Sequence, residues 1–359
     1  MRRALKKPVP TDLSYFNARV RSMRGEIMRK ADYEPLMRLG SAEALVEKLK
    51  ATRYGPFIEA ASSRYSGPLE ALSAALLSGL SGSLGQLWKI APEGTRPLLK
   101  AVLSNWEVFD LKTIVRGLSR GVKREEIKAA LIPAGEFDVA ALTTLLSSKD
   151  VFDLVGFLDT WGSPYAAVLR PGLKEYQRNG RIIEMELSAD LRTNRLFMEA
   201  LSAGFFDGRI MREWLALRAD LRNALTLLKI AGEGYAVEAA SGFFIEGGYK
   251  LKRPEFIRLA GLKTKEELLA ALKETGGSVV RSVLEKTAGA DAALMEEAAE
   301  DAIKELLRTL SIIDPLSIAL PASYIYMKVR EIKNLRLLLR GAAFGIPLEE
   351  LRRLLFYPV

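Results

Sequence analysis

The chain has 359 residues, 49% of them apolar, and its 53 Lys and Arg against 44 Asp and Glu leave a formal charge of +9. That is too long for one ordinary core and apolar enough to fill two or three. It contains no cysteine and no histidine, which excludes disulfides, thiolate chemistry, Cys/His zinc sites and any catalysis built on an imidazole.

The first ten residues are a basic lead that includes Pro8 and Pro10, without the apolar run of a secretory signal. A first helix is predicted from Thr11 or Asp12 to about Lys30. It places Tyr15, Phe16, Val20 and Met23 on its apolar side and Arg19, Arg21 and Arg24 toward water. A helix over about 42–51 stops at Tyr54-Gly55-Pro56. Further helices cover about 69–88 and 95–105, then a stretch ending at Ser119, then 125–131, closed by Ile132-Pro133-Ala134-Gly135. From Phe137 the plan repeats with helices at about 138–147, 150–160, 165–170 and 180–204. Gly204, Asp207 and Gly208 break the chain before a helix to Ile230, which Gly232-Glu233-Gly234 ends; a short helix near 235–243 precedes Gly247-Gly248. From Arg253, helices are predicted at about 254–260, 265–274, 277–288, 291–309, 315–326 and on to Arg340, with Thr264 and Glu267 as a capping box. No alternating runs with hairpin turns occur. The chain is read as all-α.

Within these helices one frame occurs three times. Glu331, Asn334, Leu335, Leu338 and Arg340 have counterparts about 111 positions earlier in Asp220, Asn223, Ala224, Leu227 and Lys229. About 113 positions earlier again stand Glu107, Asp110, Leu111, Ile114 and Arg116. An acid toward the N-terminal end and a cation toward the C-terminal end suit the helix dipole. A second marker keeps step: Ser41-x-Glu43 leads to Leu45, Leu49 and Thr52, and Thr264-x-Glu266 leads to Leu268, Leu272 and Thr275. A looser copy runs from Asp150 to Phe157 and Thr160. The end of the chain, Gly345 to Phe356, matches Gly121 to Ile132 in spacing. The period exceeds that of small solenoid repeats and predicts three similar helical subdomains, residues 1–135, 136–248 and 249–359.

The residues offer little chemistry. Phosphate cradling needs a glycine loop ending in Gly-Lys-Ser/Thr, and Gly261-Leu262-Lys263-Thr264 is only a distant approach to it. The paired glycines at 232–234 and 247–248 have no strand before them and read as helix stops. Glu296, Glu297, Glu300, Asp301 and Glu305 could place carboxylates on one helical face for a metal, but the simpler reading is a solvated face paired with Lys304 and Arg308. Three equal acids, one per repeat, point to a shared structural duty rather than to one active site. Arg19, Arg21, Arg24, Arg29 and Lys30 form the densest basic cluster. Their neighbouring aromatics fall on the apolar side, so the expectation is core packing and no nucleic-acid platform. The stretches 71–88 and 310–327 are too rich in Ser and Gly, or too interrupted by Asp314, Pro315 and Pro321, to span a membrane.

The run Tyr15, Asn17, Arg19, Arg21, Met23, the Leu49-x-x-Thr52-x-Tyr54 that follows, the Glu107 to Gly117 helix and the Glu331-x-x-Asn334-Leu335-Arg336 helix resemble the C subunit of the archaeal and bacterial A-type and V-type ATP synthases, the family that includes the d subunit of the vacuolar ATPase. The resemblance extends from Tyr15 to Pro358. Asp110 stands where an Asn is usual, Val329 where an acid is common, and the stretch around Trp214 matches loosely. The resemblance implies a funnel of three helical subdomains about a pseudo-threefold axis. It also implies a peripheral position at the cytoplasmic face of the membrane. Its partners would be the proteolipid ring and the D- and F-type central-stalk proteins. It implies a rotor part with no catalysis, cofactor or metal of its own, working in ATP synthesis or in proton or sodium transport. The alternatives are an all-α scaffold outside any ATPase, a basic RNA-binding protein, and a carboxylate-dependent enzyme built on the 296–305 acids.

Overall fold

A computed structural model describes residues 7–201, 206–231, 235–287 and 292–357. Among these residues the chain forms nineteen α-helices and one 3-10 turn, and the only sheet-like pairing is a single antiparallel bridge between Ala134 and Phe137. After α1 (Ser14–Gly25) come α2 (Lys30–Met37), α3 (Ala42–Lys50), α4 (Gly55–Ser62), α5 (Pro68–Ile90), α6 (Arg96–Ser119) and α7 (Arg124–Ala130). There follow α8 (Val139–Leu146), α9 (Val151–Thr160), α10 (Pro164–Asn179), α11 (Ile182–Ala200), α12 (Phe206–Ile230) and α13 (Val237–Ser241). The last six are α14 (Arg253–Ala260), α15 (Lys265–Thr275), α16 (Gly277–Thr287), α17 (Ala292–Ile313), α18 (Ala319–Phe344) and α19 (Leu348–Leu354). From α2 onward the same order of lengths runs three times: a helix of 8 residues each time, then 9, 10 or 11, a variable third, two long helices and a short one.

Local chemistry accounts for several helix starts. Ser41, Asp138, Asp150 and Thr264 each accept a backbone N–H from the first turn, and Thr264 with Glu267 completes the expected capping box. Several boundaries differ from the sequence reading. Gly55-Pro56 opens α4 rather than closing a helix, because Pro is favoured where the first-turn N–H has no partner. Pro321 likewise lies in the first turn of α18, so 319–344 is one helix and not two. Asp207 and Gly208 lie inside α12, and α10 extends to Asn179 despite Pro171. The first helix ends at Gly25, and α2 is a separate element that the pattern did not reveal. Gly204 and Gly232-Glu233-Gly234 fall outside the described residues.

The three helices that carry the repeated frame, α6, α12 and α18, pack on helices distant in sequence as well as on near neighbours, α18 on the α17 that precedes it included. Helix α6 lies against α9 and α11, and α12 against α14, α15, α16 and α17. Helix α18 crosses back to the start of the chain, against α1, α2, α3 and α5. One core accordingly runs from Val108 to Ala189 and joins α6 to α7–α11. Another joins the chain start to its end, with Leu45, Leu49, Tyr54 and Ile58 in the same cluster as Ile325, Ile332 and Leu335.

Each long helix also receives the short helix that follows it, through a size-matched pair ten residues apart. Gly117 faces Ile127 and Gly341 faces Leu351 so closely that a Cβ on either glycine would lie 2.4 or 2.8 Å from the partner side chain. In the middle copy the sizes are exchanged, and Ile230 clusters with Ala240. Gly117→Ile is therefore expected to destabilise the protein by about 1–3 kcal/mol through overpacking. Adding Ile127→Ala, which copies the middle pair, is expected to recover most of that loss. Denaturant unfolding of the single and double variants measures both.

Candidate functional site

The frame residues build three junctions rather than one pocket. In each copy the residue three after the acid ties down the backbone that follows the short helix. The Asp110 carboxylate accepts the Ile132 N–H at 2.8 Å. Asn223 accepts the Ile245 N–H at 2.8 Å and donates to its carbonyl at 2.9 Å. Asn334 donates to the Phe356 carbonyl at 2.9 Å. The separation is 22 residues in all three.

The acids are buried, and each gathers the backbone entering the next 8-residue helix. Glu107 accepts the Glu136 N–H just before α8 and the Tyr165 hydroxyl. Asp220, one methylene shorter, accepts three successive N–H groups, from Tyr249, Lys250 and Leu251, at 2.9–3.0 Å just before α14. Glu331 takes its loop from the start of the chain and accepts the Met28 N–H at 2.9 Å, just before α2. Gly135 and Gly248 stand against the first two acids: a Cβ there would lie 1.9 or 2.2 Å from a carboxylate oxygen. These glycines permit close approach of backbone to acid, a use beyond the helix stop that their sequence setting suggested.

The three acids are not electrically alike. Glu331 also accepts from Arg53 at 2.6 Å, the Tyr54 hydroxyl at 2.7 Å and Lys328 at 2.8 Å, with Lys328 itself about 99% shielded in its side chain. Burial pushes the Glu331 carboxyl up, but Lys328 and Arg53 outweigh it and hold it below the usual range. Ser104 and Leu217 occupy the offset of Lys328 in the other copies, so Glu107 has no such cation beside it. Burial, only partly opposed by the bonds from Tyr165 and the Glu136 N–H, raises Glu107 to about 7. Asp110 is raised well above the carboxylate range, again first by burial, and its second oxygen has no partner.

The frame cations complete two of the junctions. Arg116 makes a two-pronged bond to Glu186 at 2.9 and 2.7 Å, and Lys229 binds Glu296. Arg340 makes no ion pair with a described residue; it lies on a cleft of about 740 Å³ with Arg120, Ser73 and the exposed Phe344. In the N-terminal group, Asn17 donates to the carbonyls of Pro315 and Ser317 at 3.2 and 2.9 Å, and Arg21 to Pro315 at 2.8 Å. They fasten α1 to the turn that enters α18. Met23 is buried and Arg19 exposed, as expected. Tyr15 is 70% exposed, not packed, because the helix starts at Ser14 and presents Phe16 and Asn17 inward instead.

The 296–305 acids do not form a solvated face throughout. Glu297 binds Arg330 and Lys333, Glu300 binds Lys333 at 2.6 Å, and Glu296 reaches Lys229, so three of the five bridge α17 to α12 and α18. Asp301 and Glu305 pair with Lys304, and Glu305 also with Arg308. No group of three or more possible metal-ligating side chains occurs among the described residues, and none of their helices is long and apolar enough to cross a membrane. Sequence reasoning missed Arg53, Tyr54, Tyr165 and Lys328 as partners of the acids. Only Tyr54 and Tyr165, two and five residues after the repeated Thr52 and Thr160, carried a positional hint.

Comparison with known proteins gives the family. The family model of the ATP synthase (C/AC39) subunit matches residues 16–354. The chain belongs to that family. The C subunit of the A-type ATP synthase of Haloferax volcanii is 29% identical over 334 residues, covering 92% of this chain and 94% of the relative. The protein of the same name from Methanocaldococcus jannaschii is 29% identical, covering 95% and 86%. The C subunit of the V-type ATP synthase of Deinococcus radiodurans is 26% identical, covering 96% and 91%. Membership of the C/AC39 family thus rests on nearly the whole length and not on one motif.

Removing the best-paired acid leaves Lys328 and Arg53 facing each other without a counter-charge, so Glu331→Ala is expected to cost about 3–5 kcal/mol in denaturant unfolding. The pH dependence of the first copy, with Glu107 and Asp110 raised, has the opposite sense to that of Glu331. A carboxyl raised on folding contributes stability that is full below its unfolded value of 4.5 and is lost as pH rises through about 7. Glu107→Gln is expected to flatten the fall in melting temperature over that window. Asp110→Asn, which supplies the N–H that Asn223 uses in the middle copy, is expected to stabilise the protein more at pH 8 than at pH 4; a gain that shrinks with rising pH would contradict the assignment.

Proposed function

We propose that the chain is a non-catalytic rotor part of an A- or V-type ATP synthase, joining the central stalk to the proteolipid ring at the cytoplasmic face of the membrane. The single observation that carries this reading is the matched set of junctions. Three buried acids and three 22-residue ties lock each long helix to the chain on both sides, with the third closing onto the first helices. Close-packed helices locked in this way resist deformation, which suits a part that passes torque and has no chemistry of its own. The recurring helix lengths support three subdomains, assigned to 1–135, 136–248 and 249–359 in sequence and arranged as a funnel. The frame residues Glu107, Asp110, Asp220, Asn223, Glu331 and Asn334 are assigned to the interior, Lys229 and the exposed Arg116 to its edge, and the contacts with stalk and ring to the outer surface. The basic charge favours an anionic membrane face near the ring.

Reconstitution tests this reading. Membranes carrying the ring, stripped of soluble rotor parts, are incubated with the chain and then with D- and F-type stalk proteins. The stalk is expected to be retained only when the chain is present. Stalk retention that is independent of the chain, or a chain that ignores the ring and binds RNA with steep salt dependence, would refute it.

A further inference from the structure

The cavity between α6, α12 and α17 has a use that the rotor reading does not supply. It measures about 30 Å³, and its polar lining includes Asn105, Lys112, Arg218, Arg222, Glu296 and Glu300. That is room for one water or one ion of similar size.

Arg218 is 3% exposed, its guanidinium lies over the Trp214 ring at 5.5 Å, and its Nε and Nη1 are buried with no hydrogen-bond partner. No carboxylate among the described residues pairs with it. Its neighbouring cations are all provided for. Lys112 binds Asp190 at 2.8 Å and Arg222 approaches the same carboxylate at 3.6 Å. Lys229 uses Glu296, while Arg330 and Lys333 share Glu297 and Glu300. Among the described residues the five paired cations, Lys112, Arg222, Lys229, Arg330 and Lys333, share the carboxylates of Asp190, Glu296, Glu297 and Glu300, and Arg218 pairs with none.

A second orphan faces the same space. The Asn105 amide accepts from Arg222 through Oδ1 at 3.4 Å, which fixes its Nδ2 as a donor, and that donor also has no partner. The two buried, unpartnered polar groups that line the cavity are thus both donors. A water would accept from them and could donate only toward Glu296 and Glu300, whose carboxylates already accept from Lys229, and from Lys333 and Arg330. An anion only accepts, and it also neutralises the charge of Arg218.

We propose that this cavity binds one small monovalent anion, of halide size, held by the Arg218 guanidinium and the Asn105 amide. The site is small enough to exclude organic acids, and chloride is the probe to use. The melting temperature of the full chain is measured while sodium gluconate is replaced by sodium chloride at constant ionic strength. A saturable rise of roughly 2 °C is expected, and Arg218→Met is expected to abolish it. Crystals of the unmodified protein soaked in bromide are expected to show an anomalous peak against the guanidinium. This arm decides the question even if the variant does not fold. A chloride effect that persists in folded Arg218→Met, or bromide-soaked crystals with no anomalous signal in the cavity, would overturn the proposal.

Discussion

Burying a carboxylate is costly unless its oxygens are met by donors, and this fold does so once per repeat. Glu107, Asp220 and Glu331 lie within a few per cent of complete burial, and each accepts at least one backbone N–H from the loop that leads into an 8-residue helix. The acid thus acts as a clasp between a long helix, which supplies it, and a distant loop, which supplies the donors. Separating the two would expose donors and acid together, so the cost of separation is concentrated at these points. The remainder of the packing follows from where the clasps lie.

The clasps show how one role tolerates different chemistry. Asp220 relies on backbone alone and, being short, draws three amides around itself. Glu331 recruits Lys328 and Arg53 and remains charged. Glu107 lacks those cations and is driven toward its neutral form, with Tyr165 in the place that Tyr54 takes beside Glu331. An Asp at position 110 where the other copies have Asn leaves one oxygen without a partner, with the charges of Arg336 and Lys333 nearby.

The frame itself was legible in the sequence, because the acid, the Asp or Asn three on, and the cation recur at fixed offsets on helices with clear periodicity. The match between Gly121–Ile132 and Gly345–Phe356 already placed the segments that Asp110 and Asn334 hold. The acids' other partners were not legible. Arg53, Tyr54 and Met28 are some 280–300 positions from Glu331, and nothing in local pattern points across such a distance. Helix limits failed where proline and glycine were read as stops: Pro56 instead occupies a first turn, and Gly208 is carried inside α12 by the tertiary contacts of a 25-residue helix. The acids of α17 were misjudged for a related reason. Their spacing fits a solvated face, and only the position of α12 and α18 reveals that three of them turn inward.

The return of α18 to the start of the chain sets an order on folding during synthesis. Helices α1–α5 emerge first, yet the helix that fills their core, with Ile325, Ile332 and Leu335, is among the last to leave the ribosome. The core that joins α6 to α7–α11 has all its parts once Ala200 is made. The first helices to be born are the last to be completed. Until then Leu45, Leu49 and Ile58 have the partners on α1–α5 but lack those on α18, and the nascent chain carries an open apolar surface of the kind that chaperones cover.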